Sequence, residues 1–143
     1  MTSGWTVTYA ARAFIKPIED FRDDIHGRVA KAIHLPDRSK LEELVRLNDE
    51  VEAFSSAVEA IRSGSSDVIL SLRSARDLGQ GPSLNYYVLR VGAWRGYYWI
   101  DHSHQICQGH LAIRKSTKTA ADLIAALKEA AGELAKKPAD PKS

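Results

Sequence analysis

The spacing of apolar residues divides the chain into a strand, two long helices and a strand-rich second half. Residues 4–10 place Thr at alternate positions among β-branched and aromatic residues, which predicts a first β-strand. Apolar residues then recur every three or four positions over residues 14–29 and again over residues 41–61, which predicts two amphipathic helices. The LPDRS segment between these runs and the RSGSS segment after them are typical of helix ends. Two such helices in succession indicate a helical hairpin packed on a sheet.

The rest of the pattern predicts short strands and a terminal helix. Residues 67–72 (DVILSL) form an apolar run that predicts a short strand, and a basic, glycine-containing loop follows through Arg73 and Arg76. After Thr119 helical spacing returns, with apolar positions at Leu123, Leu127, Ala130, Ala131 and Leu134. Residues 138–143 are expected to be a disordered tail. The order strand, helix, helix, antiparallel strands, helix predicts an α+β fold.

The turn between two β-rich runs predicts a specific pairing of side chains. Gly92 and Ala93 separate these runs, and glycine at the first position of a two-residue loop favours a type II′ hairpin. This register sets Arg90 directly opposite Arg95. On the same face it pairs Val88 with Tyr97 and Tyr86 with Trp99. The opposite face is the predicted core side and contains Tyr87, Leu89, Val91, Trp94, Tyr98 and Ile100.

The next connection extends this prediction to a third strand. Residues 101–104 (DHSH) are interpreted as a four-residue loop, which pairs Ile100 with Gln105 and Tyr97 with Gln108. Arg95 then lies opposite His110, so Arg90, Arg95 and His110 form a row on the face away from the core. Arg114 has the same parity as His110 if the strand continues that far.

The opposed arginines suggest an anion-binding surface. Like charges directly opposite each other across two strands are destabilising, so an anion bound between Arg90 and Arg95 would explain the arrangement. The alternative is that each long side chain reaches solvent or a carboxylate, such as that of Asp77, of Asp101 or of a residue on the second helix.

Composition limits the class of protein. The chain has 143 residues, 44% hydrophobic and 27% charged, which is typical of one globular domain. Its net charge is only +2, so attraction to a polyanion requires a local cluster of cations. The single cysteine excludes an internal disulfide, and no apolar segment suggests a signal peptide or a membrane span. We therefore expect a cytoplasmic protein that does not contact a membrane.

A metal site is not expected from the histidines and the cysteine. His102 and His104 fall in a loop and Cys107 is the only thiol, whereas structural zinc normally has four protein ligands at defined spacing. We predict neither a metal nor another cofactor, and we expect Cys107 to face the core as a small hydrophobic residue. His26 and His34 are expected on the surface of the first helical segment.

The segments YYVLRVG, AWRGYYWID and GHLAIRKSTKT, followed by an amphipathic helix, resemble the RelE/ParE superfamily of bacterial toxins, especially its HigB-like branch. An opening strand followed by helices also resembles that family. The resemblance implies one domain over residues 1–137, with helices packed on one side of a small antiparallel sheet. Two departures are Ala120 in place of the usual proline and a longer second helix, which could cover the active face or serve another purpose.

The resemblance also implies a function. HigB-like and RelE-like members are toxins of type II toxin-antitoxin pairs that cut mRNA on the translating ribosome without a metal, whereas ParE-like members act on DNA gyrase. The residues that match the family motifs, and are thereby candidate catalytic residues, are Arg90, Arg95, His110, Arg114 and Lys115. The candidate substrate-binding residues are Tyr97, Trp99, Tyr86 and Lys118. The expected partners are a cognate antitoxin, the ribosome and mRNA.

The candidate residues suit metal-free RNA cleavage, which activates a 2′-hydroxyl, stabilises charge on the phosphorane and protonates the leaving oxygen. The cations would stabilise the charge, and His110 would act as the acid or base because imidazole titrates near neutral pH. Two alternatives remain open. One is a ParE-like protein that blocks gyrase, and the other is an inactive RelE-like fold that binds a protein through its helical hairpin.

Overall fold

A five-stranded sheet forms the centre of the protein, and helices pack on both of its faces. The computed structural model describes residues 4–75, 85–115 and 119–136. The strands are β1 (Thr6–Tyr9), β2 (Arg73–Ser74), β3 (Tyr86–Val91), β4 (Trp94–Asp101) and β5 (Ile106–Arg114), in the order β1-β5-β4-β3-β2. The helices are α1 (Lys16–Ala32), which follows a π-helical turn at Ala11–Ile15, then α2 (Arg38–Arg62), α3 (Ser66–Leu70) and α4 (Ala120–Lys136). The predicted α+β class, the first strand and the three amphipathic helices are confirmed.

The predicted hairpin between β3 and β4 is also confirmed. Gly92 has a φ of 58°, in the left-handed region, as the first position of a type II′ turn requires. Arg90 lies opposite Arg95, Val88 opposite Tyr97 and Tyr86 opposite Trp99. A two-residue turn permits only one register, which is why the sequence was sufficient here.

The sheet is mixed, so the expectation of an antiparallel sheet is wrong at one edge. β1 runs parallel to β5, with Thr6 paired with Ile106 and Tyr9 with Gly109, whereas the other strand pairs are antiparallel. A parallel partner needs a crossover, and α1 and α2 are part of the long connection that follows β1. Strands this far apart in sequence leave no local signal of their relative direction.

Residues 67–72 were predicted as a strand, and this prediction is wrong. They overlap α3, in which Ile69 is fully buried and Leu70 is 57% exposed. A short apolar run does not distinguish a strand from a single buried helical turn. The residues Arg76 to Leu84, which include most of the predicted basic loop, lie outside the described residues, as do the predicted tail and Lys118.

Each face of the sheet has its own apolar layer. On the face covered by α1 and α2, here called the hairpin face, Phe54 stacks on Trp94 with ring centroids 5.1 Å apart. The predicted core residues of β3 and β4 all belong to this layer. On the other face, here called the α4 face, Leu123 and Leu127 pack with buried side chains from the sheet, which are Val88, Tyr97 and Leu111. Helices therefore cover both faces, contrary to the expectation of one.

Local residues mark both ends of α2. Asp37 caps the N-terminus of α2 by accepting a hydrogen bond from the Ser39 amide at 3.0 Å. It also accepts one from the Ser39 hydroxyl at 2.6 Å, and the hydroxyl bond, followed by the amide bond, lowers the pKa of the Asp37 carboxyl. Gly64, with a φ of 80°, follows the end of α2. Within the described residues, no helix combines the length and apolar character needed to cross a bilayer.

We expect the substitution Gly109→Ala to destabilise the fold. A Cβ at Gly109 would overlap the ring of Tyr9 and lie 3.0 Å from Phe14. The Tyr9 hydroxyl donates a hydrogen bond to the Val58 carbonyl and accepts one from the Tyr98 hydroxyl, so the ring has little freedom to move. Denaturant unfolding should show a loss of about 1–3 kcal/mol.

The matched control is Gly27→Ala on the exposed side of α1, where a Cβ meets no atom within 4 Å. That change should raise the free energy of unfolding by about 0.5–1 kcal/mol because alanine favours a helix interior. Equal stabilities for the two variants would contradict this account of β5 packing.

Candidate functional site

Three arginines from neighbouring strands lie on the α4 face. Arg90 on β3 is directly opposite Arg95 on β4, and Arg73 on β2 is opposite Val88, two residues before Arg90. Residues paired across strands, and residues two apart along a strand, project from the same face. Arg73 and Arg90 are exposed and Arg95 is half-buried. These three residues are here called the arginine cluster.

A groove runs beside the cluster at the β2–β3 edge of the sheet. Its volume is about 760 Å³, and its lining residues are Ser71, Leu72, Arg73, Ser74, Val88, Leu89 and Arg90. Two of the three clustered arginines thus line one cavity. A groove with cations along it is suited to an extended anionic chain.

Arg95 is oriented by carbonyl groups of the turn. Its Nη1 donates hydrogen bonds to the Gly92 carbonyl at 2.7 Å and to the Trp94 carbonyl at 2.9 Å. These acceptors are uncharged, so they restrain the guanidinium without neutralising it. Across residues 4–75, 85–115 and 119–136, no carboxylate forms a salt bridge with Arg73 or Arg95.

The predicted register between β4 and β5 is wrong. Asp101 pairs with Ile106 and Ile100 with Cys107, so the loop comprises residues 102–105 and ends at Gln105, whose φ is 53°. The Asp101 carboxylate accepts hydrogen bonds from His104 and Ser103, which lower its pKa to about 2. Asp101 is therefore the last residue of β4 and not the first residue of the loop.

A β-bulge at His110 then changes the pairing a second time. Tyr98 pairs with Gly109 but Tyr97 pairs with Leu111, so His110 is an extra residue in β5. Beyond the bulge, Ile113 lies opposite Arg95. The predicted row of Arg90, Arg95 and His110 does not form, because only its first two members are paired.

Arg114 lies on the other face of the sheet. The bulge shifts the alternation of side chains, which places Arg114 opposite Trp94 on the hairpin face. There its Nη2 is 3.4 Å from Glu50 Oε1, and its guanidinium is 5.2 Å from the centre of the Phe21 ring. The prediction that Arg114 shares the face of His110 is wrong, and Arg114 is separated from the arginine cluster.

His110 is held inside a chain of hydrogen bonds. Its side chain is 2% exposed, with Nδ1 2.6 Å from the Tyr86 hydroxyl and Nε2 2.9 Å from Gln108 Oε1. Burial lowers the pKa of His110 to about 4 and raises the pKa of Tyr86 to about 12. At neutral pH the tyrosine is protonated and donates to Nδ1, and the Nε2–H group donates to Gln108. The expectation that His110 titrates near neutral pH is therefore not met.

The predicted substrate-binding residues divide into open and covered positions. Tyr97 is 1% exposed and packs in the layer beneath Leu123 and Leu127, so its ring is not open to a nucleobase in this structure. Tyr86 and Trp99 are half-buried and directly opposite each other. They lie four positions along the strands from Arg90 and Arg95, which corresponds to about 13 Å. Lys115 is exposed, and its amide bonds to the Ala93 carbonyl.

The histidines near Cys107 do not form a metal site. His102 makes edge contacts with Trp5 and Tyr87, His104 pairs with Asp101, and Cys107 is fully buried as predicted. Burial raises the pKa of the Cys107 thiol to about 12. Within the part of the chain that the structure describes, no group of His, Cys, Asp and Glu side chains is placed to hold a metal ion.

Sequence reasoning missed two residues at this site. The sequence pattern places Arg73 in a loop, and it does not distinguish Glu50 from the other charged residues on the polar side of α2. Arg73 follows an apolar run that itself predicts a strand, so the pattern gives no sign that Arg73 pairs with β3. Glu50 contacts the β3–β4 turn only because of how α2 packs, and no local pattern marks it.

Comparison of the chain with protein-family models, with curated proteins and with solved structures finds no match. The fold and the site define an α+β protein with a cationic patch on one sheet face. Any assignment of function therefore depends on the chemistry of that patch and on the motifs around it.

We predict that His110 makes stability depend on pH. The unfolded chain binds a proton on this ring near pH 6.5, whereas the folded chain does so only near pH 4. Above pH 6.5 this ring should therefore leave the free energy of unfolding unchanged. As the pH is lowered from 6.5 to about 4, the free energy of unfolding should decrease by about 1.4 kcal/mol per pH unit. A His110→Asn variant should lose this slope in denaturant unfolding from pH 4 to 7. Parallel curves for the two proteins would contradict the burial of a neutral ring.

Proposed function

We propose that the chain is a toxin of the RelE/ParE type that binds RNA with its arginine cluster and cuts mRNA on the translating ribosome. The observation that carries the proposal is the pairing of Arg90 with Arg95 across β3 and β4. Like charges directly opposite each other on neighbouring strands are destabilising, and a phosphodiester bound between them would interact favourably with both. The YYVLRVG and AWRGYYWID motifs that carry the resemblance to the family contain these same two arginines.

The position of the long helix supports the proposal. α2 packs on the hairpin face, whereas the arginine cluster lies on the α4 face. The extra length of α2 therefore does not cover the cluster. Tyr86 and Trp99 lie further along the same two strands, where they offer aromatic surface for bases of a strand whose phosphates contact the arginines.

The reaction that fits these residues is metal-free attack of the neighbouring 2′-hydroxyl on the phosphorus. It forms a 2′,3′-cyclic phosphate and breaks the bond to the 5′-oxygen, which leaves as a hydroxyl after taking a proton. Arg90 and Arg95 would stabilise the charge that develops on the phosphorane oxygens, because guanidinium groups bind phosphate through paired hydrogen bonds. Lys115 is exposed after the end of β5 and adds a further cation. A cognate antitoxin is the expected partner that neutralises such a surface.

The burial of His110 favours a second candidate function. Both ring nitrogens are hydrogen-bonded and the pKa is about 4, so in this arrangement the ring is not poised to exchange protons with a substrate. A protein that uses the same surface only for binding needs no such group. A ParE-like gyrase blocker, or an inactive RelE-like fold that binds a protein, is therefore the alternative proposal.

RNA binding should depend on the arginine cluster. Arg90→Ala and Arg95→Ala should each weaken binding of a single-stranded RNA oligonucleotide, and each should reduce the slope of log K against log salt by about 0.7 per lost phosphate contact. The measurement is fluorescence anisotropy at several salt concentrations. Arg28→Ala is the matched control, because Arg28 is exposed on α1 and pairs with Asp24 at 3.1 Å. An unchanged salt slope in both cluster variants would argue against phosphate binding here.

Expression in a bacterial host should separate the candidate functions. Induction of the nuclease should arrest translation and leave cut mRNA, and Arg95→Ala should relieve the arrest while the protein stays folded. A gyrase blocker should instead inhibit supercoiling, with no cut mRNA. The assay pairs mRNA end mapping with gyrase supercoiling. Unchanged growth and translation on induction would count against any toxin.

A further inference from the structure

A carboxylate on α2 contacts the turn that joins β3 and β4. Glu50 Oε2 accepts a hydrogen bond from the Ala93 amide at 3.1 Å, and Glu50 Oε1 is 3.4 Å from Arg114 Nη2. The carboxylate also occupies the space that a Cβ at Gly92 would need. Only glycine at position 92 therefore allows both the positive φ of the turn and the approach of Glu50.

The same turn is linked to the cationic residues that follow it. The Gly92 carbonyl accepts a hydrogen bond from Arg95 Nη1 at 2.7 Å, and the Ala93 carbonyl accepts one from the Lys115 amide. Arg114, the remaining candidate cation on β5, contacts Glu50 itself. Three of the residues that the sequence marks as catalytic are thus connected to one turn and to one carboxylate.

We propose that Glu50 is a positioning residue for the arginine cluster. By holding the Gly92–Ala93 turn from the hairpin face, it sets the direction of the Gly92 carbonyl and, through that carbonyl, the orientation of Arg95 on the α4 face. The inference rests on the proposed function only in taking RNA as the ligand of Arg95.

The arrangement of charges supports a positioning role. An unrestrained arginine side chain samples many rotamers, so a guanidinium that is already oriented loses less freedom when it binds phosphate. Glu50 achieves this without pairing with Arg95, because its charge is offset by Arg114. Arg114 in turn lies over the Phe21 ring, 5.2 Å from its centre. Arg95 therefore keeps its charge for a ligand, and Arg114 serves as the counterion of Glu50.

A double-mutant cycle tests whether Glu50 acts through Arg95. In the otherwise unchanged protein, Glu50→Ala should weaken binding of a single-stranded RNA oligonucleotide by roughly threefold to tenfold, the range expected for one lost hydrogen bond. In the Arg95→Ala background the same change should have an effect of less than about twofold. Equal losses in both backgrounds would overturn the proposal, because Glu50 would then act independently of Arg95.

Two further variants distinguish positioning from general damage. Glu52→Ala removes a comparable pair on the same helix, with Arg22 Nε 2.8 Å from Glu52 Oε2, but does not contact the turn, so its RNA binding should match that of the unchanged protein. Glu50→Gln keeps an acceptor for the Ala93 amide and should restore most of the binding lost in Glu50→Ala. A Glu50→Gln protein that folds and binds RNA no better than Glu50→Ala would overturn the role of the turn bond.

A measurement without RNA separates this inference from the proposed function. The Nη1–H signal of Arg95, which donates to the Gly92 carbonyl, can be followed by NMR in the free protein, together with its rate of hydrogen exchange. In Glu50→Ala, loss of the hydrogen bond between Glu50 and the Ala93 amide should shift this signal and speed its exchange. In Glu52→Ala the signal should stay in place. If the unchanged protein does not bind RNA, the proposed function fails and the NMR result still decides the role of Glu50. An unmoved Arg95 signal in folded Glu50→Ala overturns the inference.

Discussion

The bulge at His110 determines which side chains of β5 share a face, and the packing on both faces of the sheet depends on this arrangement. β5 lies between β1 and β4 in the sheet. Before the bulge, Gln108 lies on the α4 face opposite Trp99, and beyond it Ile113 lies on that face opposite Arg95. The extra residue keeps apolar side chains under α4 while it turns Arg114 toward α2. A continuous strand with the same starting pairs would exchange the two faces from residue 111 onward.

The two faces differ in how completely they are covered. The hairpin face is filled by an aromatic layer in which Phe14, Phe54, Trp94 and Tyr98 contact one another. The α4 face is covered at its centre by Leu123 and Leu127, and the arginine cluster lies beyond that contact. Burial of apolar area stabilises the first face, and the second retains exposed charge that burial would penalise. The hairpin face therefore stabilises the fold, and the candidate chemistry lies on the opposite face of the same sheet.

The β3–β4 turn is where these two faces are coupled. Glu50 reaches it from the hairpin face, and Arg95 is bonded to its carbonyl on the α4 face. This contact also gives the long α2 helix a role other than covering the site. His110 illustrates the opposite case, because a polar side chain expected at the surface is buried with both nitrogens satisfied. A satisfied hydrogen-bond chain makes that burial tolerable, but it also removes the free nitrogen that proton transfer requires.

The sequence by itself determined the elements that depend on short-range chemistry. Helical periodicity was sufficient for α1, α2 and α4, and Gly92 was sufficient for the register that pairs Arg90 with Arg95, because a two-residue turn leaves no freedom of alignment. A four-residue loop permits several alignments, so the β4–β5 register, which depends on Asp101 and on the positive φ of Gln105, was not readable. The bulge, the parallel partner of β5, the burial of His110 and the contact of Glu50 with the turn were decided only in the tertiary structure. The last three involve contacts between segments far apart in the chain, where the free energy of burial and of satisfied hydrogen bonds outweighs any local preference.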